Sequence, residues 1–145
     1  MTLKNLLGHS LDAVAPDKAH IGKLLAAAER NIADAKLQGL STENRFDAAY
    51  KAIMQLAMVA LNANGYRTMT SKPGHHQTAI QTLPTSVGLA PAKVIVLDAL
   101  RKQRNLSDSS GDLVTDATAA ECLASASELL TQVRTWLAAR RPDLL

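Results

Sequence analysis

The stretch STENRFDAAYKAIMQLAMVALNANG, residues 41–65, decides the fold class. It opens on Ser41, whose hydroxyl suits a helix N-cap, and ends at Gly65, a residue that readily takes the left-handed turn closing a helix. Between them Ala48, Ala49, Ile53, Met54, Leu56, Ala57, Met58, Val59, Ala60 and Leu61 wrap nearly all the way around a helix. A narrow polar stripe of Asn44, Lys51, Gln55 and Asn62 remains. A helix that is apolar on almost every side needs neighbours on several sides, so the pattern predicts a central, buried helix reaching Asn64.

The flanking sequence supplies those neighbours. Upstream, Pro16 suits the first position of a helix that runs to Gln38 and stops at Gly39. Its inward stripe is Ile21, Leu25, Ala28, Ile32 and Ala35, with Lys23, Glu29, Arg30 and Lys36 turned to solvent. Downstream, Tyr66 to Pro73 reads as a connecting loop, and a shorter helix begins near His75 and is limited by Pro84. Pro91 opens the next helix, in which Val94, Leu97 and Leu100 carry the apolar face to about Asn105, and Asp108 to Asp112 reads as a turn. The last helix starts at Thr115 or Asp116, presents Leu123, Ala126, Leu130, Val133 and Leu137, and stops at Pro142. Val94-Ile95-Val96-Leu97 is the one strand-like run, and its flanks fit a helix better. The expectation is an all-α, up-and-down bundle of about five helices forming one domain over residues 1–145.

Composition bounds what such a bundle does. Hydrophobic residues make up 47% of the 145, which suffices for a core without disulfides or a structural metal. Lys and Arg outnumber Asp and Glu by 16 to 13, so the formal charge of +3 is too small to mark a nucleic-acid binder by itself. Phe46, Tyr50, Tyr66 and Trp136 are all the aromatics, too few for a base-stacking platform. Trp136 flanks the last helix's apolar stripe and reads as core or dimer contact. The single cysteine, Cys122, excludes an internal disulfide and reads as a small buried hydrophobe. Met1 to Gly8 is short of apolar content for a signal peptide. The most apolar run, Ala52 to Leu61, falls well below the roughly 20 residues of a membrane helix. A cytoplasmic protein with no membrane association, no cofactor and no metal is expected.

There is no phosphate-binding glycine loop, no zinc-binding histidine pair around a Glu, and no nucleophile elbow. Attention therefore falls on Arg101-Lys102-Gln103-Arg104-Asn105. Arg104 lies seven residues after Leu97 and four after Leu100, on the apolar stripe, where a guanidinium needs a partner. That partner is either an acid such as Asp47 or Asp98, or an anion such as phosphate held by two N–H groups. Arg45 or Arg67 is expected to pair with Asp47, and Tyr50 to sit on the buried face. Adjacent His75 and His76 diverge by about 100° on a helix, which disfavours a shared metal.

Four segments in order, Ser41-Thr42-Glu43-Asn44-Arg45-Phe46-Asp47-Ala48-Ala49-Tyr50, Gly65-Tyr66-Arg67, Gly74-His75-His76 and Leu100-Arg101-Lys102-Gln103-Arg104-Asn105, give the chain its family likeness. It resembles the HEPN superfamily, in a branch of short bacterial single-domain proteins, over about two thirds of its length. The resemblance implies a bundle of four or five helices that forms a homodimer, with the Arg motifs of two subunits facing across a cleft. Many such proteins are metal-independent ribonucleases of toxin and antiviral systems. In these an Arg, a following polar residue and a nearby His act on the scissile phosphate. Arg104 and Asn105 match the first two positions; the third falls on Ser109, Ser110 and Gly111, where no histidine stands.

The resemblance leaves three readings open. The first is a homodimer in a toxin-antitoxin or defence context that binds RNA, a nucleotide or a partner protein around Arg101, Arg104 and Asn105, with Arg67 and Ser109 as further contacts. The second is a ribonuclease in which His75 or His76 replaces the missing histidine. The third is a noncatalytic interaction subunit.

Overall fold

The computed structural model describes residues 2–111 and 113–145. A 3-10 turn (Leu3–Leu6) leads to strand β1 (Leu11–Ala13), helices α1 (Lys18–Ala35) and α2 (Thr42–Ala63), and strand β2 (Tyr66–Thr68). Short helices α3 (His75–Gln81) and α4 (Leu83–Val87) follow, then α5 (Pro91–Ser110), α6 (Asp116–Arg140) and a 3-10 turn (Pro142–Leu144). The architecture is mostly helical, with one small two-stranded sheet.

Helix α2 is the axis. Ser41 caps it by accepting a hydrogen bond from the Asn44 N–H at 3.1 Å, and α1 and α6 pack along it. Phe46, Ala49, Ile53, Leu56, Ala57 and Ala60 are buried between them. Each large side chain removed from water contributes about 1.5–3 kcal/mol, and the interspersed alanines let the helices approach closely. Two positions differ from the helical-wheel expectation. Asn62, assigned to the polar stripe, is only 7% exposed; its side-chain oxygen accepts the Asp17 backbone N–H at 3.0 Å. Met58, assigned to the apolar wrap, is 43% exposed. The chain entering α1 covers one side of α2's C-terminal end and leaves the Met58 side open.

The five-residue stripe of α1 is buried as its spacing requires. The helix itself begins two residues after Pro16, because the Asp17 carboxylate accepts the His20 N–H at 3.2 Å and so takes the cap position. At the other end of the chain Thr115 caps α6, accepting from the Thr118 N–H at 3.1 Å. The buried stripe of α6 runs through Cys122, Ala126, Leu129, Val133 and Leu137. Leu123 and Leu130 are rotated to its edge, where they and Trp136 pack half-buried against the core.

The sheet was not expected. β1 and β2 pair antiparallel, with Leu11 opposite Thr68, Asp12 opposite Arg67 and Ala13 opposite Tyr66. Three-residue strands are too short for alternation to register, and their pairing is decided by the α1–α2 hairpin that brings the two segments together. Helix α5 also outruns its expected end. Asp108 lies within it, and Ser109 and Ser110 donate their hydroxyls back to the Leu106 carbonyl at 3.2 and 2.7 Å. Gly111, at φ +73°, ends the helix. The remainder of the expected turn, Asp112, lies outside the described residues, as does Met1. Among the described residues, no helix is long and apolar enough to cross a membrane.

Candidate functional site

Helices α2, α3 and α5 converge on Tyr50. Gly74, at φ +80°, turns the chain into α3, and burial of Ala79 and Ile80 fixes that helix's inner face. Three and four residues earlier on the same face stands His76, with Nδ1 3.2 Å from the Tyr50 hydroxyl. From the opposite side, burial of Leu97 and Leu100 orients α5 so that Arg104 turns inward. Its guanidinium carbon lies 5.1 Å from the centre of the Tyr50 ring, a cation–π contact. Phe46 stacks next to Tyr50 at 6.4 Å, and the His75 ring meets His76 edge-on at 4.7 Å.

These groups border a cavity of about 460 Å³ lined by Asp47, Tyr50, Met54, Met58, His76 and Arg104 among others. Its electrostatics follow from partial burial beside a cation. Burial pushes the Tyr50 phenol up to about 12, so it stays protonated. His76 is held below the ordinary histidine value, first by burial and then by the charges of His75, Arg104 and Arg101. The Asp47 carboxyl is raised, chiefly by burial, with Arg104 opposing and Asp108 and Glu43 adding to the rise. A neutral imidazole and a neutral phenol therefore share one hydrogen bond. If Tyr50 donates, Nε2 of His76 carries the ring proton; if Nδ1–H donates to the phenol oxygen, Nε2 is free to accept one.

Arg104 is a third exposed, and its nearest carboxylate is Asp108, 4.0 Å away and one helical turn on. Of the two acids expected to hold it, Asp47 faces it across the cavity, while Asp98 is taken by Arg101 at 2.9 Å and Lys102 at 3.4 Å. That hydrogen bond from Arg101 keeps the Asp98 carboxyl below its ordinary value. The guanidinium of Arg104 thus rests one face on a phenol ring and keeps N–H groups for an oxyanion, beside a histidine able to move a proton.

The structure brings together Arg104 and His76, with His75 behind His76, and places the other predicted residues elsewhere. Asn105 and Ser109 are exposed on the far turn of α5 and do not line the cavity. Arg101 is committed to Asp98. Arg67 lies on β2, opposite Asp12 with 3.8 Å between their charged atoms, and lines a neighbouring cavity that shares Met58 with the first. Neither Arg45 nor Arg67 pairs with Asp47: Arg45 reaches Asp116 at 3.5 Å and Thr42 at 3.4 Å, tying the start of α2 to the start of α6. The bridging role of Tyr50 escaped the sequence reading, whereas Asp47 was named there as a partner for Arg104.

Cys122 is buried, its thiol pushed up to about 12 by burial and its sulfur 3.8 Å from the Phe46 carbonyl oxygen. It packs as a hydrophobe and stays unreactive while the fold is intact. Among the described residues, no group of three or more His, Cys, Asp or Glu side chains is placed to hold a metal ion. Compared with known proteins, the chain matches no family model, no curated protein and no solved structure.

Proposed function

We propose that the chain is an HEPN-like, up-and-down helical bundle that works as a homodimer in a toxin-antitoxin or defence setting and binds RNA through backbone phosphate at Arg104. One observation carries this: the Arg104 guanidinium is seated on the Tyr50 ring at the rim of a cavity that also holds a neutral His76. A phosphate oxygen there has a planar N–H fork on one side and an imidazole on the other, and Asp108, well exposed and 4.0 Å away, is readily displaced. Asn105 and Ser109, on the outer turn of α5, reach a strand that passes over that rim.

A metal-independent endoribonuclease is the second reading, and the Tyr50–His76 hydrogen bond favours it. His76 supplies the ionisable group that Ser109 lacks. Its imidazole accepts the proton of a ribose 2′-hydroxyl, whose oxygen attacks the adjacent phosphorus; the expelled 5′-oxygen is protonated by the imidazolium, and Arg104 faces the charge that develops on phosphate.

Fluorescence anisotropy with labelled RNA over a salt series tests the binding reading. Affinity falls as salt rises, and Arg104→Ala lowers the slope of log K against log salt by about 1 for each phosphate contact removed. Binding that ignores salt and the substitution overturns it in favour of a noncatalytic interaction subunit. In the same samples, chelator-resistant cleavage lost in both Arg104→Ala and His76→Ala supports the nuclease; cleavage surviving either variant removes it. Sedimentation of the wild type checks the dimer.

A further inference from the structure

The second cavity, of about 310 Å³, opens where the entry to α1, the C-terminal half of α2 and strand β2 meet. It is at the small end of the roughly 300–1,000 Å³ typical of ligand pockets. Its apolar floor is Leu61, Met58 and Tyr66, and its polar groups are Asn62, Arg67 and Asp17. Asn62 is more than nine-tenths buried. Its side-chain oxygen is fixed by the Asp17 N–H, which settles the orientation of the amide and turns its NH₂ the other way. Among the described residues nothing accepts from that nitrogen, and the exposure Asn62 retains is to the cavity it lines. The nitrogen is therefore an open donor on a residue that lines the cavity, free to donate to an oxygen of a molecule bound there.

We propose that this cavity binds a small amphipathic oxyanion, a molecule with an aromatic or aliphatic body bearing one carboxylate or phosphate group. The body covers Leu61, Met58 and Tyr66. An oxygen of the ligand accepts from the Asn62 amide, and the anionic group pairs with Arg67 at the mouth. Arg67 is available for this, since its contact with Asp12 is a loose 3.8 Å between an exposed guanidinium and a half-exposed carboxylate. The N-terminus of α1, which borders the cavity at Asp17 and His20, adds a favourable dipole for negative charge. Asp17 already spends one carboxylate oxygen on the His20 N–H, and the ligand's anionic end lies on the Arg67 side, away from it. The site stands apart from Arg104 and does not depend on RNA binding.

Calorimetric titration of the purified chain with 3-phenylpropionate, phenyl phosphate and neutral benzyl alcohol tests it. Saturable binding of at least one acid is expected, with benzyl alcohol weaker by about tenfold or more. Preference between the two acids separates a carboxylate site from a phosphate site. Arg67→Gln, at an exposed position, and Asn62→Asp, which keeps the oxygen that holds Asp17 and removes the donor, each weaken the acid by at least about tenfold. Arg104→Ala leaves it unchanged, so failure here and failure of the RNA reading are distinguishable. Thermal melts check that Asn62→Asp is folded. No saturation by either acid, equal binding of benzyl alcohol, or indifference to Arg67→Gln overturns the proposal.

Discussion

His76 is the residue whose environment has the plainest consequence. Burial, and after it the charges of His75, Arg104 and Arg101, hold its pKa below the ordinary histidine value of 6.5 in the native state. Between 6.5 and that lower value the unfolded chain binds a proton that the folded chain refuses. Stability from this group is therefore complete above the ordinary histidine value and is lost as the pH falls through the folded one. Urea midpoints measured at about pH 7.5 and about pH 5 should show the decline, and His76→Gln, which cannot take up a proton, should reduce it. An unchanged pH dependence in the variant would mean that other groups carry it. Sequence spacing correctly turned Arg104 toward the apolar side, but its partner there is an aromatic face. Helical periodicity places a side chain on a stripe and says nothing of what stands opposite.

At the scale of the element, the caps were legible because they are local. Ser41 and Thr115 precede their helices by one residue and accept from N–H groups three residues on, within reach of a short side chain. Thr115→Ala removes that acceptor from the start of α6 and should cost about 1 kcal/mol in a denaturant titration, with the fold retained. A loss near zero would show that water satisfies the Thr118 N–H equally well. The first helix shows the limit of such signals: Pro16 suits a first helical position, yet Asp17, with a side-chain acceptor, outcompetes it for the role of boundary. The two strands left no local trace, since neither is long enough to alternate and each is completed by a segment more than fifty residues away.

Across the whole molecule, α2 behaves as the central helix that its composition announced, and its two sides are unequal in consequence. Leu56 is fully buried, and Leu56→Ala should cost about 2–5 kcal/mol through lost transfer energy and the cavity left behind. Met58 is two residues along the same helix but half in solvent between the two cavities, and Met58→Ala should stay within about 0.5 kcal/mol. Chemical denaturation of the pair checks the contrast; similar losses would place Met58 in the core after all. The sequence by itself determined the four long helices, the Ser41 cap and the buried stripe of α1, because hydrophobic periodicity and capping are set within a few residues of chain, while the short helix α4, which contains Pro84, was read only as a boundary. Tertiary structure alone decided that His76 joins Arg104 across Tyr50, that Arg67 goes to a separate cavity, and that Asn62 turns inward. Those outcomes depend on how α2, α3 and α5 and the small sheet lie against one another, and packing between distant segments leaves no spacing for a single sequence to record.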